Sequence, residues 1–138
     1  LVIVDPRLPA ARRGQRVDAM ALNIDFAPTF LDYAGVEIPK QMQGKTLRPW
    51  IEGQAHAWRE DWFYEHHSVT KIIPPSEGVR TPRWTYLRWM KTPENPVEEL
   101  YDVQADPLQE RNLAAGREHQ ETLRTLRTRW ERLRKELE

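Results

Sequence analysis

The sequence contains no cysteine, which excludes disulfides, thiolate metal ligands and a cysteine nucleophile but leaves the redox compartment undecided. Serine is scarce as well, standing only at Ser68 and Ser76. No apolar run approaches the ~20 residues that a helix needs to span a bilayer, so no membrane partner is expected. An excess of one charge is also missing. The 21 Lys and Arg residues balance 21 Asp and Glu residues, giving a formal net charge of +0, and nothing global points to nucleic acid. Before Leu1-Val2-Ile3-Val4 there is no methionine, signal peptide or polar segment. Such a β-branched run suits a buried strand with neighbours on both sides. The chain is therefore expected to be the C-terminal part of a longer polypeptide, of periplasmic, secreted or cytoplasmic location.

What remains is a composition that can fold. Charged residues make up 30% and aromatics 9% of 138 residues, enough for one domain or a piece of one with its own core. After Leu1 to Val4, Asp5-Pro6 ends the predicted strand because proline cannot donate to a ladder. Arg7 to Arg16 reads as a surface loop in which Arg12, Arg13 and Arg16 are solvated. Asn23 or Asp25 can cap a helix running to Ala34, with Pro28 in the first turn and Gly35 as the C′ residue. Phe26, Ala27, Phe30, Leu31 and Ala34 share one apolar face of it. Leu47, Trp50 and Ile51 are spaced to pin a short helical turn.

The second half alternates. Trp62 and Tyr64 fall on one strand face, Phe63 and Glu65 on the other. Glu77 to Thr81 and Trp84 to Met90 read as two further strands, and Leu100-Tyr101 as a fourth after a loop from Thr92 to Glu98. Leu123, Leu126, Trp130, Leu133 and Leu137 then draw one narrow stripe along a helix starting near Gly116 or Arg117. The fold class is therefore α+β: a small four-stranded antiparallel sheet covered by a long C-terminal amphipathic helix, preceded by a strand and a helix.

Several stretches resemble the C-terminal part of the type I sulfatases, arylsulfatase and N-acetylglucosamine-6-sulfatase-like members of the alkaline-phosphatase-like superfamily. These are Glu99-Leu100-Tyr101-Asp102, Asp106-Pro107 and Asn112-Leu113-Ala114, with Trp58 to His66 and Glu77 to Leu87 in the same order. Asp25 to Gly35 resembles the last large-domain helix, and Met42 to Gly53 the linker that follows it. The resemblance implies that residues 1–53 close the larger catalytic α/β domain and that 54–138 form the C-terminal subdomain. The upstream catalytic domain of the same polypeptide is then the partner, and a carbohydrate or aryl sulfate the substrate of the whole.

Sulfate-ester hydrolysis in this family, as the resemblance implies, uses a formylglycine made from a Cys/Ser-x-Pro/Ala-x-Arg motif beside a calcium ion. Ser68 is followed by Val69-Thr70-Lys71 and Ser76 by Glu77-Gly78-Val79, so neither serine fits. Catalytic and metal-ligating residues are accordingly expected to be absent here, with calcium and formylglycine supplied by the parent. His66 and His67 are the candidate substrate contacts, on a loop expected to reach the pocket mouth. An adjacent pair points to opposite sides of a strand, so one shared metal is not expected. Arg80 reads as a structural ion-pair partner for Glu77 or Asp102. The alternative is a non-catalytic binding or dimerisation module built on the Arg-rich final helix, although glutamates interrupt its basic residues.

Overall fold

In the computed structural model a 3-10 turn at Asn23–Asp25 runs straight into α1, Phe26–Tyr33. The structure describes residues 1–54, 57–67, 73–90 and 97–137, in two units, Leu1–Arg59 and Glu60–Glu138. α1 ends as its sequence predicts. Gly35 takes φ +68, a left-handed conformation that only glycine adopts freely, and the Val36 amide donates to the Leu31 carbonyl at 2.9 Å. Three features of the first unit differ from expectation. Asp25 caps no amide of α1; its carboxylate accepts from the Leu22 amide at 2.7 Å and from the Lys45 amide at 2.9 Å.

The covered side of α1 also differs. Pro28 and Thr29 are buried, whereas Phe30 is 71% exposed. Thr29 decides this, because its hydroxyl donates to the Asp25 carbonyl at 2.6 Å and accepts from the Leu47 amide at 2.9 Å. These bonds clamp segment 45–47 to that side. Gly44 permits the approach, since a Cβ there would collide with the Ile24 carbonyl. Buried Leu47 then leads into α2, Arg48–Ile51. Third, Leu1 to Val4 are exposed and form no strand. A strand exists only through a ladder, and no described residue offers one here.

In the second unit β1 (Trp62–His66), β2 (Ser76–Arg80), β3 (Trp84–Trp89) and β4 (Val97–Asp102) form an antiparallel sheet in sequence order. β4 begins at Val97, earlier than expected, because Val97 and Glu98 pair with Trp89 and Arg88. Register places Phe63 opposite Val79, Val79 opposite Tyr86 and Tyr86 opposite Leu100. That apolar row crosses the whole sheet. A 3-10 turn at Arg117–His119 opens α3, Gln120–Leu137, whose Leu123, Leu126 and Trp130 close the core against the row. The stripe is thus covered by its own sheet, with Leu137 left exposed beyond it. The helix arginines are paired as well: Arg127 with Glu98, Arg129 and Arg132 with Asp61, and Arg134 with Glu77.

The sheet also depends on one glycine. A Cβ at Gly78 would strike the Tyr86 carbonyl of the adjoining strand. Gly78→Ala is expected to destabilise the chain by about 1–3 kcal/mol through overpacking, read as a lower midpoint in urea. An unchanged midpoint would show that the two strands can separate without cost.

Candidate functional site

The site begins with β1, whose alternation separates two histidines. Trp62, Tyr64 and His66 share the sheet face opposite the core row, and Trp62 and Tyr64 meet edge to face at 6.1 Å. His66 is half-buried and pairs in register with buried Ser76. His67, one residue past the strand, is exposed. Its Nε2 lies 2.8 Å from Oε1 of Glu65, so an N–H on that nitrogen donates to the carboxylate. Nδ1 is then the ring nitrogen left to meet a ligand group.

Glu65 is a residue of this site that the sequence pattern alone does not single out. The signal is the i, i+2 spacing, which puts positions 65 and 67 on one side of an extended chain. Residues 68–72, where the predicted loop continues, lie outside the described residues. The structure therefore places the two histidines next to each other in sequence, on opposite sides of the backbone. It does not bring them to one point.

Arg80 shares the face of Trp62 and His66. Contrary to the expectation from sequence, it pairs with neither Glu77 nor Asp102. Its Nη1 donates to Oγ1 of Thr85 at 2.6 Å, and burial pulls its guanidinium below the usual range. Glu77 instead accepts from Nε1 of Trp130 at 3.1 Å. Asp102 accepts from Nε and Nη2 of Arg83 at 3.0 and 2.8 Å, and that hydrogen-bonded guanidinium holds its carboxyl below the ordinary aspartate value.

The stretch Glu99 to Ala114 is occupied with shaping the sheet edge. Oδ1 of Asn112 accepts the Leu100 and Ala114 amides at 3.0 and 2.9 Å, while the Leu113 amide donates to the Leu100 carbonyl at 2.8 Å. Asn112 thus continues the ladder where no fifth strand exists among the described residues. Oδ2 of Asp106 accepts the Arg111 amide at 2.9 Å and holds the turn before it. These residues organise backbone, and the chemistry of a reaction centre is not assembled among them.

The residues present do not fit the formylglycine and calcium that the resemblance implies. No cysteine exists, Ser76 is buried within β2 in the wrong context, and Ser68 lies outside the described residues. Among the described residues no three His, Asp or Glu side chains gather where one ion could be held. No helix of the described residues is long and apolar enough to cross a membrane.

Comparison with known proteins gives a consistent result. Residues 3–136 match the family model "N-sulphoglucosamine sulphohydrolase, C-terminal". An N-acetylglucosamine-6-O-sulfatase of Bacteroides thetaiotaomicron is 32% identical over 126 residues, spanning 86% of this chain and 22% of the relative. A solved structure described as a complex with its substrate D-glucosamine-2-N,6-O-disulfate matches 80% of this chain and 23% of its own, with 30% identity and a TM-score of 0.73. A phosphonate monoester hydrolase from Silicibacter pomeroyi matches 86% of this chain and 26% of its own, with 27% identity and a TM-score of 0.71. The chain spans about a quarter of the length of these relatives.

Proposed function

Because the chain belongs to the N-sulphoglucosamine sulphohydrolase C-terminal family, we propose that it completes a longer sulfatase that hydrolyses carbohydrate sulfate esters. The family match over residues 3–136 carries this reading. The substrate class follows the sugar sulfates for which the sulfatase relatives are named. The nucleophile and the metal site lie in the upstream domain, where a formylglycine and a calcium ion supply the chemistry. Residues 1–53 close that domain and residues 54–138 form the C-terminal subdomain. Exposed Val2, Val4 and Phe30 are the kind of apolar surface that an upstream domain covers.

Within this reading one of the two candidates, His66 or His67, positions the substrate. An imidazole nitrogen hydrogen-bonds a sugar hydroxyl away from the sulfur and takes no part in breaking the S–O bond. Glu65 holds the His67 ring in place for that hydrogen bond. In the longer polypeptide, His67→Ala is expected to lower kcat/KM for a sugar sulfate by about tenfold for each ~1.4 kcal/mol of binding energy removed. A small aryl sulfate, which does not reach the loop, should change much less. His66→Ala should differ from His67→Ala, since the two side chains leave opposite sides of the backbone. Equal losses on both substrates, or none in either variant, would reduce the histidines to structural residues.

A further inference from the structure

The first unit holds a cleft of about 340 Å³ lined by Asp5, Arg7, Arg12, Tyr33, Arg48 and Glu52, among others. Two of its arginines are committed. Arg7 donates from Nε and Nη2 to the two oxygens of Asp5 at 2.9 Å each. Arg48 donates from Nε to Glu52 at 2.7 Å and from Nη1 to Asp32 at 3.0 Å. Both guanidiniums also stack on the Tyr33 ring, at 5.1 and 5.2 Å from its centre. The carboxylates of the cleft are thereby neutralised, and two planar cations lie against the Tyr33 ring.

Two donors are left over. Arg12 has no carboxylate partner among the described residues, and a Cβ on Gly53 would collide with its guanidinium, so the glycine makes its space. The Tyr33 hydroxyl is buried and has no hydrogen-bond partner among the described residues. Burial, with the carboxylates of Glu52 and Asp5, pushes this phenol up, so it stays protonated and can donate. A buried donor without an acceptor is costly and calls for a ligand oxygen.

We propose that this cleft is a binding site for a small oxyanion, a sulfate or phosphate group, held by the Arg12 guanidinium and the Tyr33 hydroxyl. The fork of Arg12 matches two oxygens of such a group, and Arg7 and Arg48 retain N–H donors on Nη1 and Nη2 for a third. The assignment is independent of the proposed sulfatase activity, because none of these residues belongs to the histidine loop.

The test is calorimetric titration of the full 138-residue chain with inorganic sulfate, and separately with methyl sulfate. Both are run at low ionic strength against a chloride control. One saturable site is expected, weakened about tenfold or more in Arg12→Ala by loss of charge-assisted bonds. Tyr33→Phe, which removes one oxygen only, should also weaken it, with both variants melting as the wild type does. If Arg12→Ala melts early, Tyr33→Phe alone carries the comparison. Binding of sulfate but not methyl sulfate assigns a free anion, and binding of both assigns a half-ester as well. No saturable binding of either, or unchanged affinity in a folded Tyr33→Phe and Arg12→Ala pair, overturns the proposal.

Discussion

Trp130→Ala is expected to cost the second unit about 3–5 kcal/mol, enough to consume much of the stability of a unit this size. Trp130 is 7% exposed and lies in one cluster with Val79, Tyr86, Leu100, Leu123 and Leu126. Truncation removes the largest member and leaves a cavity that strands on the far side cannot collapse to fill. Two polar arrangements fail with it. Glu77 loses the indole N–H at 3.1 Å, and Arg88 loses the ring that its guanidinium covers at 4.0 Å. Nε of Arg88 is already buried without a hydrogen-bond partner among the described residues, so the indole face is what compensates its desolvation. Urea unfolding reads the loss directly. A change below about 1 kcal/mol would mean that α3 is not docked on the sheet.

Arg59→Ala should be comparably damaging in the first unit, for an electrostatic reason. The Asp25 side chain is 0% and that of Arg59 9% exposed. Nη1 and Nη2 of Arg59 donate to the two carboxylate oxygens at 2.5 and 2.6 Å, and Nη1 also reaches the Met20 carbonyl at 2.9 Å. The guanidinium stacks on Trp58 at 4.7 Å. Removing it leaves a buried carboxylate with no countercharge, a change that costs about 3–5 kcal/mol.

Acid should separate the two proteins in a defined direction. In the native chain burial pushes the Asp25 carboxyl up, but Arg59 and the Lys45 and Leu22 amides outweigh it and hold the pKa below the ordinary value. The contribution of the pair is therefore complete above the unfolded value of about 3.9 and is lost as pH falls through the lower, folded value. In Arg59→Ala the hydrogen bonds and charge of the guanidinium are gone, so the folded carboxyl rises and acid costs the variant less than it costs the wild type. The gap between wild type and variant should narrow on acidification below about pH 5. A gap that is constant with pH would show that Asp25 is not ionised in the folded chain.

Local periodicity encodes much of the second unit. The alternation of Trp62, Phe63, Tyr64 and Glu65, the stripe through Leu123, Leu126 and Trp130, and the stop at Gly35 in the first unit all depend on neighbours within a few residues. Charged partners are not legible in this way. Asp25 and Arg59 lie 34 residues apart, Arg127 and Glu98 29, and Arg132 and Asp61 71. Such pairs are set by how elements pack, which spacing along one element does not encode. For the same reason Arg80 reads from sequence as a partner of Glu77 or Asp102, whereas its acceptor is Thr85, across the turn on the neighbouring strand. Leu1 to Val4 show the opposite failure: the residues suit a strand, but a ladder needs a second strand. Of the histidine site, only the divergence of His66 and His67 is legible in the sequence, because strand alternation alone determines it.

Sulfate release by the purified 138-residue chain tests the central claim most directly. The proposed function places the nucleophile and metal upstream, and neither serine of the chain stands in a convertible motif. The chain alone should release no sulfate from an aryl sulfate or from N-acetylglucosamine 6-sulfate above a buffer control, with or without added calcium. Release above that control, proportional to the amount of pure chain, would contradict it.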